Sequence, residues 1–264
     1  MSNNPKGFSL IEVVAALVIL AITVAVALPA TFRRSDADRE KATISEMMEI
    51  HRAIVGDIEL GTYGFLGDMA KLPDMLTDLI VKPAGAPVFN TNHTHNVGMG
   101  WKGPYVSDFS EDDLIRDAWG TPYQYSPTGN NAGQVISAGM DRDINTTSDN
   151  IVYPADGPLK TTGDLYLTVT ANDIAEPAYM TVNVYSTDNG AESATVITGT
   201  TGSRGSGYAG FFYHTLKHGI HAVKATHVVP NSTSISRTVN VGIRTGAQKC
   251  YILRMETTAT VTLL

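Results

Sequence analysis

The first hydrophobic pattern along the chain is a nearly uninterrupted apolar run close to its amino terminus. It starts at Phe8, after the polar leader MSNNPKG, and continues to Ala30 with a single charged side chain, Glu12. The uncharged part from Val13 onward corresponds to about 27 Å of helix at ~1.5 Å per residue. Together with FSLI, it predicts a helix that crosses the hydrocarbon of a bilayer over about residues 8–30.

The pattern then becomes amphipathic and continues to about Ile58. Charged residues stand between apolar residues that recur at helical spacing, namely Ile44, Met47, Met48, Ile54, Val55 and Ile58. Gly56 and Gly61 weaken and then end such a helix. We therefore expect one N-terminal helical region over residues 8–61, whose first half is apolar all round and whose second half packs on a globular head.

Residues 62–157 are expected to form that head. Glycine and proline are frequent in the first part, and LPDMLTDLI (72–80) favours a short helix with Pro73 in its first turn. Tyr123-Gln124-Tyr125 alternates as a half-buried strand. The head is followed by Asp156-Gly157-Pro158, which is typical of a linker.

Residues 158–264 predict an all-β domain. About seven alternating or β-branched runs are separated by turn signals. They are LYLTVTA (165–171), AYMTVNVY (178–185), ATVITGT (194–200), YAGFFYHTL (208–216), HAVKATHVV (221–229), SISRTVNVGI (234–243) and KCYILRM (249–255). Strands at this spacing are typical of a β-sandwich. The segment GYAGFFYHTLKHGIHAVKATHVV (207–229) resembles the strand–turn–strand of immunoglobulin-like modules, which implies an Ig-like sandwich. The fold class expected for the whole chain is α+β.

Composition narrows the classes of partner and of covalent structure. The formal net charge is −7 and the sequence pI is about 5.4, which argues against nucleic acid as a partner. The chain has one cysteine, so it has no intramolecular disulfide. That residue, Cys250, lies in a strand-like run, and we expect it to be buried as a small hydrophobe.

The glutamate inside the apolar run requires compensation. A carboxylate at mid-membrane costs roughly 2.5–3.5 kcal/mol on an insertion scale, and it is tolerated where a cation pairs with it. The sequence GFSLIE followed by an apolar helix resembles the signal of type IV pilins and type II secretion pseudopilins. The resemblance implies cleavage after Gly7 by a prepilin peptidase, N-methylation of Phe8, and pairing of Glu12 with the amino terminus of a neighbouring subunit. It also implies a helix weakened or kinked near Pro29.

Two other interpretations of the apolar run stay open, an ordinary secretory signal peptide and a plain membrane anchor. A signal peptide is disfavoured by the short charged leader, by the glutamate, and by Leu28-Pro29-Ala30 as a poor cleavage site. Lys6 on one side of the run and Arg33, Arg34 and Arg39 on the other do not orient it by charge. An N-in orientation is therefore implied by the resemblance alone.

A second resemblance lies in the expected head. The segments WKGPY (101–105) and DAWGTPYQY (117–125) resemble the W-x-G-P-Y and D-P-W-G-x-P-Y-x-Y signatures of the major type II secretion pseudopilin. Ala118 departs from the proline that is common at that position. The aromatic residues favour core packing over a carbohydrate-binding surface, and the Asp117 side chain is expected to cap the turn that follows it.

A third stretch, VISAGMDRDINTTSDNIVY (135–153), resembles the calcium-holding loop of the same pseudopilins, with Asn150 in place of a second aspartate. Hard cations take six to eight oxygen ligands. The expected ligands are the side chains of Asp141, Asp143, Asn145 and Asp149 and backbone carbonyls such as that of Ser137. A true EF-hand is excluded because its glycine and its closing glutamate are missing. A plain acidic surface loop, with Asp and Asn as turn formers, stays the alternative.

Catalysis finds little support, and we expect no enzyme. The sequence has no nucleophile elbow, zinc-protease helix or nucleotide-binding motif. His93 and His95 are interpreted as solvated loop residues rather than a metal clasp. His214, His218, His221 and His227 are interpreted as dispersed solvent-side residues on strands.

The resemblance implies a structural subunit of a helical, homo-oligomeric filament, a type II secretion pseudopilus or a related pilus. The implied partners are other pseudopilins or minor pilins, the prepilin peptidase, an inner-membrane assembly platform and, before assembly, the membrane itself. The subunit would sit in the inner membrane, N-in, and later in a periplasmic or extracellular filament. Two alternatives remain: a low-copy tip subunit whose β-domain binds a substrate or surface, and a membrane-anchored enzyme.

Overall fold

The computed structural model describes residues 10–107, 109–172, 180–188, 191–197, 199–204, 207–227 and 235–255. Within these ranges, the side chains of 23–34, 170–172, 180, 191, 199–204, 207–211, 227, 235, 254 and 255 lie outside the description. The described chain contains a long N-terminal helix, short helices and many β-strands. The fold is therefore α+β with a β-rich C-terminal region.

Helix α1 extends from Leu10 to Val55. It ends there because Gly56 adopts a φ of +82°, a left-handed conformation that breaks the helix. The second half of α1 buries one face against the head through Thr43, Met47, Ile50, Ala53 and Ile54.

For two of the apolar residues that recur at helical spacing, the prediction that they pack on the head is wrong. Met48 is 41% exposed, because adjacent helical positions lie on different faces and its neighbour Met47 occupies the core. Ile58 is 76% exposed, because it follows the end of the helix and lies in the turn.

The head packs against one face of the second half of α1. It contains α2 (Gly64–Met69), a 3₁₀ helix (Leu76–Leu79) and α3 (Glu111–Leu114). It also contains an antiparallel sheet in the order β1-β2-β3, formed by β1 (Gln124–Tyr125), β2 (Val135–Ser137) and β3 (Ile151–Tyr153). The strand predicted at 123–125 is present, whereas the helix predicted over 72–80 is only one 3₁₀ turn that begins after Pro73.

The β-rich region has two four-stranded sheets. One has the order β10-β9-β5-β6 and the other β11-β4-β8-β7. The strands are β4 (Thr162–Asn172), β5 (Met180–Asp188), β6 (Ala191–Ile197), β7 (Gly199–Arg204), β8 (Gly207–Lys217), β9 (Gly219–His227), β10 (Ile235–Ile243) and β11 (Gln248–Met255). Both sheets contribute to one apolar core, in which Leu165, Val184 and Val223 are fully buried. All seven predicted runs form strands, but the run 194–200 is divided between the two sheets.

Two predictions about single residues in this region are wrong. Cys250 is exposed, because alternation along β11 turns its neighbours Tyr251 and Leu253 toward the core. His218 and His221 are not solvent-side residues, since they are 2% and 1% exposed. Both are buried near the contact between the head and the β-rich region.

That contact joins the two parts of the chain directly. Val97 and Met99 of the head pack with Ala222 of β9 and Tyr185 of β5. His95 of the head stacks on the Tyr185 ring at 3.3 Å between centroids, and its Nδ1 lies 2.5 Å from Oε1 of Glu192. His95 is therefore a contact residue between the head and the β-rich region rather than a solvated loop side chain.

Candidate functional site

The N-terminal half of α1 carries the residues that the sequence singles out for processing and assembly. Gly7 and Phe8 lie outside the described residues. Glu12 lies in the first turn of α1. Around it, large apolar side chains are exposed, among them Leu10 at 85%, Ile11 at 74% and Ile19 at 64%. An exposed apolar surface of this kind marks a site of interaction with a protein or a membrane.

Pro29 lies within α1, which is one helix across that position, and its side chain lies outside the description. Among the described residues, no helix combines the length and the apolar character that crossing a bilayer needs. The side chains of residues 23–34, which are part of the span predicted over 8–30, are outside the described set.

The turn after Asp117 is fixed by that carboxylate, as the sequence predicts. Asp117 is buried, and its Oδ1 accepts hydrogen bonds from the backbone N–H groups of Trp119 at 3.0 Å and Thr121 at 2.8 Å. Its Oδ2 accepts a hydrogen bond from the Ser137 hydroxyl at 2.6 Å. The turn is thereby joined to β2, and the Ser137 side chain is used for this link.

The same turn is attached to α1. The Ala118 N–H donates to Oγ1 of the buried Thr43 at 3.2 Å, a bond that a proline at position 118 has no hydrogen to make. The Tyr123 hydroxyl donates to Oε2 of Glu46 at 2.9 Å. Burial raises the pKa of the Glu46 carboxyl above its ordinary value, although the bond from Tyr123 opposes that shift. This segment therefore orients the helix relative to the head.

The acidic loop after β2 turns through its own side chains. Oδ1 of Asp141 accepts from the N–H of Asp143 at 2.8 Å, and Oδ1 of Asp143 accepts from the N–H of Asn145 at 3.0 Å. Oδ2 of Asp141 accepts from the Thr146 hydroxyl, and this bond lowers the pKa of the Asp141 carboxyl. Asp141, Asp143 and Asn145 are exposed in this arrangement.

The buried side of the loop differs, because two oxygens there have no hydrogen-bond partner. They are Oδ1 of Asp149 and Oδ1 of Asn150. The other carboxylate oxygen of Asp149 accepts from the Asp141 N–H at 3.0 Å. Gly139, with a φ of +69°, lets this side close, because a Cβ there would lie 2.2 Å from the Asp149 carbonyl oxygen. Among the described residues, no three His, Cys, Asp or Glu side chains converge as a metal site.

Two buried oxygens without a hydrogen-bond partner, on residues that are neighbours in sequence, are the kind of ligand that a hard cation takes together with carbonyls and water. Asn150 is the residue that the sequence did not bring forward as a ligand. Asn150 could have been recognised as a ligand, because it follows Asp149 and occupies the position where the resembled loop has a second aspartate.

A second carboxylate was not singled out by the sequence at all. Asp68 lies in the apolar segment GFLGDM of α2, and its Oδ2 accepts from the Tyr105 hydroxyl at 3.0 Å. Burial raises the pKa of the Asp68 carboxyl to about 6. The signal was a lone acid within an otherwise apolar helix.

Two family models match separate parts of the chain. The model of the prokaryotic N-terminal methylation motif matches residues 2–28, and the model of type II secretion system protein G matches residues 68–153. No curated protein and no solved structure matches the chain. The two family matches support a pilin of the type II secretion pseudopilin kind, with a further β-rich region C-terminal to the matched residues.

Proposed function

We propose that this pseudopilin-like pilin is a structural subunit of a type II secretion pseudopilus or related pilus, assembled through the first half of α1. The observation that carries the proposal is the contrast along one helix. Its first half exposes large apolar side chains around Glu12, whereas its second half packs one apolar face against the head. Both matched families describe pilin-type chains rather than enzymes.

The physical reason for assembly lies in Glu12. Lipid and neighbouring helices solvate the apolar side chains of α1 almost equally well, so these side chains alone do not favour the filament. The carboxylate of Glu12 is different, because in lipid it costs roughly 2.5–3.5 kcal/mol at the centre of the membrane. Pairing with the amino terminus of a neighbouring subunit removes that penalty and favours the filament.

The same proposal specifies the steps before assembly. The chain is inserted in the inner membrane through residues 8–30, N-in, cut after Gly7 by a prepilin peptidase and methylated at Phe8. An inner-membrane assembly platform then transfers it, with other pseudopilins, into a periplasmic or extracellular filament. In that filament residues 62–157 form the head and residues 158–264 lie outside it.

The first test replaces Glu12 by valine. Glu12→Val should insert in the membrane normally but be absent from sheared or purified filaments, because the cation of the neighbouring subunit loses its partner. Glu40→Gln, which removes an exposed carboxylate further along α1, is the matched control and should assemble. Normal filaments of Glu12→Val would contradict the pairing mechanism.

A second test addresses processing. Gly7→Leu should leave an uncut precursor that migrates more slowly on a gel, since a side chain at the cleavage position blocks an extended backbone from the protease. A precursor processed at the normal rate would refute Gly7 as the cleavage position. Mass spectrometry of the wild-type amino terminus should show methylated Phe8.

A low-copy tip subunit is the second candidate. The observation that favours it is the size of the β-rich region, whose eight strands follow the residues matched by the protein G model. At a tip, this region meets no crowding from neighbouring subunits. Quantitative mass spectrometry of purified filaments separates the two, since a tip subunit is present at a small fraction of the major pilin.

We further propose that the loop 137–151 holds a structural Ca²⁺ at Asp149 and Asn150. Their unpaired, buried Oδ1 atoms support the proposal. In this arrangement Asp141, Asp143 and Asn145 shape the loop through hydrogen bonds, and the Ser137 backbone carbonyl is a further expected ligand. Bound Ca²⁺ would neutralise the buried Asp149 charge and so stabilise the head.

Thermal melting of the full chain in detergent tests this metal site. A calcium chelator should lower the melting temperature of the wild type, and Asp149→Asn should melt identically with and without chelator. Asp143→Asn is the control, because its carboxylate is exposed and only shapes the turn, and it should keep the response. A wild-type melting curve that is insensitive to chelator would exclude a structural calcium.

A further inference from the structure

A cavity of about 690 Å³ lies at the point where α1 ends. The 56–68 and 98–107 segments line it, and Ile220 of β9 adds a wall from the β-rich region. Its volume is in the range of small-ligand pockets, roughly 300–1,000 Å³. The site belongs to neither the filament surface of α1 nor the acidic loop.

The cavity is built from closely packed backbone and is therefore preformed. A Cβ on Gly56 would lie 2.3 Å from the Thr62 carbonyl oxygen, and a Cβ on Gly67 would lie 2.2 Å from Cβ of Tyr63. Real side chains do not tolerate such distances, so both positions require glycine. These close approaches fix the backbone on the side of the cavity formed by residues 56–67.

Asp68 is a half-buried acid in this cavity whose carboxylate is only partly used within the described residues. The Lys102 N–H donates to the Tyr105 hydroxyl at 3.0 Å, and that hydroxyl donates to Oδ2 of Asp68 at 3.0 Å. This chain of bonds fixes the carboxylate. Among the described residues, none donates a hydrogen bond to the other oxygen, Oδ1, so the carboxylate has room for a donor from a ligand.

The charges around the cavity favour a cationic ligand. Three acids line it, Glu49, Asp57 and Asp68, against two bases, Arg52 and Lys102. Arg52 and Asp57 pair with each other at 3.4 Å between Nε and Oδ2, which leaves Glu49 and Asp68 against Lys102. Nζ of Lys102 lies 5.2 Å from the centre of the Phe89 ring, which shows that this wall accepts a cation over an aromatic face.

We propose that this cavity binds a primary alkylammonium group, with Asp68 as its anion and with Phe89 and Ile220 beside its alkyl chain. An ammonium group donates charge-assisted hydrogen bonds to a carboxylate, which are about twice as strong as neutral ones. A free diamine and a lysine side chain both carry this chemistry. The proposal is independent of filament assembly.

Isothermal titration of the full chain in detergent micelles tests the site with two probes, cadaverine and N-acetyl-lysine amide. At about pH 7.5 at least one should bind, and Asp68→Asn should weaken it by about tenfold or more. Asp74→Asn is the matched control, because it removes an exposed carboxylate of the same head, paired with Lys71 at 2.9 Å, outside the cavity. It should bind as the wild type does.

A second variant predicts the opposite sign. Lys102→Met removes the cation that lies over the Phe89 ring and would repel a bound ammonium group, so the probe should bind several-fold more tightly. Binding by cadaverine alone indicates a free amine, and binding by the lysine amide alone indicates a polypeptide side chain; either supports the site. Absence of binding by both probes, or equal binding by Asp68→Asn, overturns it.

The dependence of probe affinity on pH is a further test, because it would not change if Asp68 had only a structural role. Because burial raises the pKa of Asp68 to about 6, protonation of Asp68 should weaken binding of the probe as the pH falls below that value. The other titratable and charged groups that line the cavity are Glu49, Arg52, Asp57, Tyr63, Lys102 and Tyr105, and Arg244 packs on the Tyr63 ring from the β-rich region. Affinity that stays constant between about pH 7.5 and about pH 5 contradicts Asp68 as the anion.

Discussion

At the scale of the single residue, Asp68 destabilises the head when it is ionised. Its pKa is raised from 3.8 to about 6 by burial, so the ionised form is disfavoured in the folded state. The contribution of protonated Asp68 to the free energy of unfolding is fully present below pH 3.8 and is lost as the pH rises through 6. An acid kept at such a position despite this penalty is a candidate for function.

Asp68→Asn should therefore stabilise the protein at neutral pH. An amide removes the charge and still accepts from the Tyr105 hydroxyl, so the free energy of unfolding should rise by about 1–2 kcal/mol near pH 8 and by little near pH 4. Urea unfolding at the two pH values measures the difference. A destabilised variant at neutral pH would show that ionised Asp68 contributes stability instead.

The sequence predicts residues well where a local motif determines the geometry. Asp117 caps the turn that follows it, because its partners, the N–H groups of Trp119 and Thr121, are only two and four residues away. Asp68 and His218 escaped prediction, because their partners are 37 and 155 residues away and depend on tertiary packing. Cys250 failed for a related reason, since the face that a strand buries is not set by one residue alone.

At the scale of the element, the end of α1 is determined by glycine. The helix terminates at Val55, and Gly56 turns the chain so closely that Thr62 lies against it. The sequence marked both Gly56 and Gly61 as terminators. The structure shows that Gly56 ends the helix and Gly61 serves the turn beyond it.

Two glycine-to-alanine variants distinguish these roles. Gly56→Ala should destabilise by about 2 kcal/mol or more, because it combines a φ of +82° with a Cβ 2.3 Å from the Thr62 oxygen. Gly61→Ala, with a φ of +67° and open space around it, should cost about 1 kcal/mol. Thermal melting compares them, and equal losses would show that backbone conformation alone decides the cost.

The alternation of apolar and polar residues predicted where the strands lie but not which strands pair with each other. The run 194–200 was predicted as one strand, whereas β6 pairs with β5 in one sheet and β7 pairs with β8 in the other. The change of sheet was not predicted, because the β-branched residues of the run ATVITGT favour a strand along most of its length. The parallel pairing of β11 with β4 was equally absent from the pattern.

At the scale of the whole molecule, His218 connects the β-rich region to the head. Its Nδ1 accepts from the Thr245 N–H at 3.0 Å, which leaves Nε2 as the protonated nitrogen that donates to the Tyr63 carbonyl at 3.0 Å. Arg244 lies over the Tyr63 ring at 4.6 Å. His221 is buried beside this contact, with Nε2 2.7 Å from the Lys217 carbonyl oxygen. The bond from Thr245 requires a neutral His218 ring, and burial disfavours the charged form of His221.

Acid should consequently weaken this interface. Burial lowers the pKa of His218 and of His221 from 6.5 to about 4, so the unfolded chain binds protons first, and stability present above pH 6.5 is lost as the pH falls toward 4. Each histidine contributes about 3 kcal/mol to that loss, which the raised pKa of Asp68 partly offsets. The double variant His218→Gln/His221→Gln should show a flatter dependence of melting temperature on pH, whereas the control His214→Gln on β8 should follow the wild type. Hydrogen exchange should locate the acid-induced opening at Tyr63 and β9, and a double variant as acid-sensitive as the wild type would contradict the mechanism.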